Sequence, residues 1–234
     1  MLQALTPDPL ARQSLVSLYQ YMTYRFENLI PLPMKEVPTE DSSIWEAASF
    51  SFSQEHSYLI EAPSGKGKTS LLSIMYGLRK DYSGNLYIDE RNSREIRSGE
   101  WSAMRKKKLA YIFQGLELFD DMSAWDNIML KNHITRYKTT QQIRKMAEEL
   151  HIEQFLQKHC GILSFGQQQR VAIIRALCQP FNFLLADECF SHIDHNNSAT
   201  AMELIKEECR ARGAGLILTS LGNNKHDVDI SLRL

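Results

Sequence analysis

No apolar run in the 234 residues approaches the ~20 needed to cross a bilayer, and the N-terminus has no basic segment leading into an apolar one. The chain is therefore expected to be kept in the cytosol, with any membrane role coming through a partner. Neither sign of charge is in marked excess. A net charge of -1 with 24% charged residues gives no general pull toward nucleic acid or anionic lipid. Cys160, Cys178, Cys189 and Cys209 form no CxxC pair, so reduced thiols are expected rather than disulfides or zinc. His133, His151 and His159 match no zinc-ligand spacing and default to the surface. Internal repeats and low-complexity segments are absent as well. What remains, with 43% hydrophobic residues, suffices to bury the core of one domain.

The most informative stretch is EAPSGKGKTS at residues 61–70. A glycine-punctuated turn of this kind points backbone N–H groups at phosphate oxygens, and the following helix offers its positive end. In that arrangement Lys68 reaches the terminal phosphates and the Thr69 hydroxyl ligates Mg2+, with Ala62, Pro63, Ser64, Gly65, Lys66, Gly67 and Ser70 completing the cradle. The element needs a strand before it and a helix after it. Residues 58–60 supply a short buried strand, and Leu71, Ile74, Met75 and Leu78 share one helical face. These flanks argue against a Gly/Ser turn without a ligand. Ala62 stands where the pattern asks for glycine, which predicts a negative φ or a small strain.

Asp8 before Pro9 reads as a helix start, and Leu15, Leu18, Tyr19 and Met22 form an apolar stripe, so residues 1–22 are expected as an amphipathic extension. It reads as a packing strut or an overlong gene start rather than a docking element. Alternating runs at 24–29, 49–52 and 86–88 predict a small antiparallel layer, with 30–43 as loop. Short continuous apolar runs at 109–113, 183–186 and 216–219 read as buried parallel strands. Residues 125–134 and 141–150 are helical, the latter with Ile143, Met146, Ala147 and Leu150 on one face. The fold expected is α/β, mostly parallel, with an inserted helical subdomain. A basic run at 105–108 near Trp101 reads as a solvated helix face, because so few cations neutralise few phosphates; no nucleic acid is expected.

Residues 183–188, FLLADE, form an apolar strand ending in two carboxylates. Asp187 suits a metal-holding acid. Glu188 suits a base that orients and deprotonates a water opposite a γ-phosphate.

The octet Leu163-Ser164-Phe165-Gly166-Gln167-Gln168-Gln169-Arg170, followed by AIIRAL, resembles the signature of the ATP-binding cassette family. Gln114 in YIFQ resembles that family's Q-loop, Asp187-Glu188 its acidic strand end, and Ser191-His192-Ile193-Asp194 its D-loop, all in the family's order. The resemblance covers residues 23–234, with residues 116–178 as the helical subdomain of a P-loop NTPase core. It implies ATP and Mg2+ as cofactors, with Thr69, Gln114 and Asp187 at the metal and Glu188, Gln114 and Lys68 at the reacting phosphate. It also implies a head-to-tail pair, either a homodimer or a pairing with another cassette subunit. There Ser164, Gly166, Gln167 and Asp194 of one chain would reach the nucleotide of the other. Residues 115–128 would grip a separate transmembrane permease, placing the chain peripherally on the inner face of the cell membrane. The wording of that stretch is similar to the branch of lipoprotein-releasing, macrolide-exporting and cell-division ATPases. His192 and His195 flank the D-loop acid in a structural or interfacial role.

The departures from the family pattern are specific. Ser220 stands where a switch histidine is expected, with His226 beyond it, and a hydroxyl cannot carry positive charge. Pro33 falls where an aromatic ring would stack on adenine; Phe165 replaces a signature glycine, and Cys189-Phe190 replaces Pro-Thr after the base. Two readings follow. One is an ATPase subunit whose closure on ATP moves a membrane protein; the other is a slowly hydrolysing, nucleotide-gated clamp on a membrane complex. A soluble relative acting on DNA or ribosomes would need paired cassettes or long coiled-coil insertions, which this length does not hold.

Overall fold

The computed structural model describes residues 21–37, 39, 42–222 and 227–234. The expected extension at 1–22 falls almost wholly outside these residues, and so does His226. A five-stranded parallel sheet has the order β6-β7-β8-β3-β9, built from β3 (Ser57–Glu61), β6 (Leu109–Ile112), β7 (Phe183–Asp187), β8 (Gly215–Ser220) and β9 (Ile230–Arg233). A second, antiparallel sheet has the order β2-β1-β4-β5, from β1 (Thr23–Pro31), β2 (Ser49–Ser53), β4 (Tyr82–Ile88) and β5 (Arg91–Asn92).

Alternation along the central strands explains why they read as unbroken apolar runs. In β7, Leu184 and Ala186 face a core shared with helices, while Phe183 and Leu185 face a separate core under the antiparallel sheet. In β8, Leu216 and Leu218 join the first core and Ile217 the second. The helical core takes α3 (Ala124–Thr135), α4 (Thr140–Glu149), α5 (Phe165–Leu177) and α6 (His195–Arg212), with Ile128, Ile143, Val171, Ile174 and Ile205 buried. The other core packs α1 (Lys68–Met75) and Trp101 of α2 (Ser98–Lys107) with Tyr24, Phe26 and Phe52. The order of elements puts α3, α4 and α5 between the adjacent strands β6 and β7.

Three local expectations are corrected. Leu78 does not share the buried face of α1. The helix ends at Met75, Gly77 turns the chain at φ 72, and Leu78 is 55% exposed. The segment expected as loop from residue 30 begins instead within β1, which passes a bulge between Glu27 and Ile30 and continues to Pro31 before a 3-10 turn at Leu32–Met34. Gly84 makes that bulge possible, since a Cβ there would lie 2.2 Å from the Asn28 carbonyl oxygen. The strand expected at 109–113 stops at Ile112, leaving Phe113 to begin the turn that carries Gln114. No helix among the described residues is long and apolar enough to cross a membrane.

Candidate functional site

The phosphate-type loop joins β3 to α1. Gly65 at φ 81 and Gly67 at φ 90 occupy the left-handed region that a side chain would resist, and Gly67 is the N-cap of α1, so no side chain covers the helix's first N–H groups. Ala62 is not among the residues of positive φ; the loop reaches its shape without strain at that position. Trp45 holds the outer side of the loop by donating from Nε1 to the Lys66 carbonyl at 3.3 Å, and Trp45 and Met34 pack beside Gly67, 3.4 Å from where a Cβ would stand.

Lys68 is buried and folds back over its own loop, its Nζ donating to the carbonyls of Ala62 at 2.6 Å and Pro63 at 3.0 Å and pairing with Glu188 at 3.2 Å. Gln114 donates from Nε2 to the other Glu188 oxygen at 3.1 Å. Lysine, glutamine and glutamate, far apart in sequence, thus meet at one carboxylate. They border a cleft of about 290 Å³ with Ser64, Gly65, Gly67, Thr69 and Ser70, lined also by Pro33, Met34 and Val37. The Ser70 hydroxyl accepts from Arg79 at 2.8 Å and so serves the loop's frame.

Behind Glu188, Asp187 is fully buried at the end of β7. Burial raises its pKa, while hydrogen bonds from the Thr219 and Thr69 hydroxyls pull it down; the neighbouring Glu188 charge raises it and Lys68 lowers it. Thr219 does double duty, donating to Asp187 at 2.7 Å and accepting from the Glu188 N–H at 3.1 Å. That second bond fixes Glu188 at φ 47, a conformation disfavoured for a side-chain-bearing residue. The Tyr111 hydroxyl lies 3.5 Å from the other Asp187 oxygen. Threonine, aspartate and glutamine oxygens are hard donors of the kind Mg2+ takes.

The remaining candidate residues lie elsewhere. Ser164 caps α5 in a reciprocal pair with Gln167, whose backbone N–H donates to Ser164 Oγ at 3.3 Å while the Ser164 N–H donates to Gln167 Oε1 at 2.9 Å. Gly166 packs under the next loop, where a Cβ would stand 2.8 Å from the His192 carbonyl oxygen. Phe165 meets the His192 ring edge-to-face at 4.5 Å between centroids. Asp194 caps α6 by accepting from the Asn197 N–H at 3.1 Å. None of these lines the cleft at the glycine loop. Ser220, buried at the end of β8, accepts from the Gly222 N–H at 3.3 Å and does not line the cleft either.

Trp45, Met34, Val37 and Thr219 were not singled out from the sequence. A threonine closing an apolar strand, or a tryptophan in a polar loop, has no spacing that marks it.

Comparison with known proteins agrees with this geometry. Residues 45–191 match the family described as "ABC transporter". The lipoprotein-releasing system ATP-binding protein LolD of Buchnera aphidicola subsp. Schizaphis graminum is 36% identical over 152 residues, 63% of this chain and 66% of that protein. LolD of Syntrophotalea carbinolica is 33% identical over 160 residues, 67% of this chain and 70% of that protein. The chain thus spans about two thirds of the length of these curated relatives. Among solved structures, the dimeric post-hydrolysis state of an ATP-binding cassette bound to ADP and Pi superposes with a TM-score of 0.66 at 26% identity, covering 84% of this chain and 87% of that one.

Proposed function

Because this chain belongs to the ABC transporter family, we propose that it is an ATP-hydrolysing subunit that dimerises on ATP and drives a separately encoded transmembrane permease. The LolD relatives support export of lipoprotein or another envelope component as the work done, with the chain peripheral on the inner face of the cell membrane. The observation that carries the reading is the meeting of Lys68, Gln114 and Glu188 at the mouth of a glycine loop that opens a helix.

In this reading the loop N–H groups and Lys68 take the phosphates, and Pro33, Met34 and Val37 offer an apolar wall to the base. Thr69, Asp187 and Gln114 would hold Mg2+, which when bound neutralises developing charge on the phosphate oxygens. Glu188 takes a proton from water as the water oxygen bonds to the γ-phosphorus; the bond from that phosphorus to the β-γ bridging oxygen breaks, and ADP leaves with inorganic phosphate. Ser164, Gly166 and Gln167 lie away from the chain's own cleft, as they would if a second cassette supplied them head to tail. The test is phosphate release by the full chain with Mg-ATP. Turnover should depend on Glu188, and equal release by wild type and Glu188→Gln overturns the assignment.

A second reading, the slowly hydrolysing clamp, is favoured by Ser220, whose hydroxyl is turned to its own loop and carries no charge.

A further inference from the structure

Arg175 lies in the last turn of α5, the helix that Ser164 caps. Arg175 is half-buried, and the loss of water around its guanidinium pulls its pKa below the usual arginine range. It donates to the backbone carbonyls of Leu116 and Glu117. Both residues are left-handed, at φ 59 and φ 52, which is unusual for consecutive residues with long side chains. The turn is tight: the Leu116 N–H donates to the Phe113 carbonyl at 2.9 Å and the Glu117 N–H to Gly115 at 2.6 Å. Leu116 is sunk into the helical core at 2% exposure. The first of these hydrogen bonds closes a turn that carries Gln114, whose amide contacts Glu188.

We propose that Arg175 is a positioning residue for hydrolysis, fixing Gln114 against Glu188 by holding the Leu116 and Glu117 carbonyls. Because it rides on the helix capped by Ser164, it also links a chain's own nucleotide to the serine that the chain offers its partner. This rests on the ATPase and head-to-tail reading given above.

The test is a double-mutant cycle in the full chain. The values of kcat and KM are measured for wild type, Gln114→Ala, Arg175→Gln, Arg175→Lys and the Gln114→Ala/Arg175→Gln pair. ATP affinity with and without Mg2+ and thermal midpoints are followed alongside. Arg175→Gln should lower kcat about tenfold or more while Mg-free ATP affinity stays within about twofold, since the phosphate loop is held by other elements. Gln114→Ala should cost less than about twofold more in that background, and Arg175→Lys, a cation without the forked donors, should recover part of the rate. Losses that multiply, or a matching fall in Mg-free affinity, overturn the proposal. If Arg175→Gln does not fold, Arg175→Lys paired with Gln114→Ala is judged by the same criterion. A wild type that binds ATP without turning it over defeats the ATPase reading instead. The Mg2+-dependent gain in ATP affinity then decides: its loss in both Gln114→Ala and Arg175→Gln supports the proposal, and its survival in Arg175→Gln overturns it.

Discussion

The Lys68 ammonium lies 3.2 Å from the Glu188 carboxylate, with the two side chains only 4% and 11% exposed. On the reading proposed above, both groups serve the γ-phosphate, one as clamp and one as base, and an entering triphosphate would compete with Glu188 for Lys68. Glu188→Gln removes the competitor along with the base. It should lower kcat by about 10²-fold or more and tighten ATP binding several-fold. Titration with a fluorescent ATP analogue checks the second effect; weaker binding by the variant would contradict the competition.

Gly166 has no room for a side chain beneath the His192 carbonyl, which is backbone and cannot swing aside. Gly166→Ala should displace either the start of α5 or the loop at 191–194, costing about 1–3 kcal/mol of stability. Turnover should fall further than stability does, because Ser164 moves with the helix start. ATP affinity of the single chain should stay near wild type, and thermal melting with nucleotide binding separates the two effects.

Ser220 ends β8 beside Glu61, the last residue of β3, at the edge from which the phosphate loop departs. Ser220→His supplies a group able to carry charge, and Leu221 next to it is 50% exposed, so the loop has space to adjust. A rise in kcat of about tenfold, or ~1.4 kcal/mol off the barrier, is expected under the clamp reading. An unchanged rate counts against that reading.

All four cysteines are buried, and burial pushes the thiols of Cys160, Cys178 and Cys209 up to about 11, 12 and 12, with Cys189 higher still. The native protein at neutral pH should react with no thiol reagent on the minute timescale and with one equivalent per cysteine once denatured. The pH dependence follows from the direction of the shift. An unfolded thiol releases its proton above ~8.5 while the folded one retains it, so stability is full below that value and declines as pH rises past it. Urea midpoints at about pH 7.5 and about pH 9.5 measure the decline, and equal midpoints would refute it.

Much of the candidate site is legible because its residues are local in sequence. The glycine loop, the apolar strand with two carboxylates after it, and the helix after Leu163 each lie in one short stretch. The stripe at residues 141–150 was legible for the same reason, and Ile143, Met146, Ala147 and Leu150 are all buried. What escaped depends on the third dimension. Leu78 continues the helical spacing perfectly well, but Gly77 packs so close to Trp101 that a Cβ would stand 2.4 Å from the indole, and the chain turns away. The edge strand β9 is only Ile230–Arg233, too short for a periodic signal, and it forms because β3 offers it a row of partners. Thr219 reads only as a strand end, and nothing in the sequence marks Arg175, until the folded chain brings Asp187 and Leu116 to them.

Strand β7 hands alternate side chains to two separate interiors and ends at Asp187, the first of the acid pair. A methyl lost from Leu184 opens a void on one side of the ribbon and a methyl lost from Leu185 opens one on the other, yet both slacken the support under the same two carboxylates. Inactivating substitutions can therefore arise well away from the nucleotide, in either direction, and converge on a single failure. A variant that binds ATP normally and hydrolyses poorly is as much a report on these hidden walls as on the cleft itself.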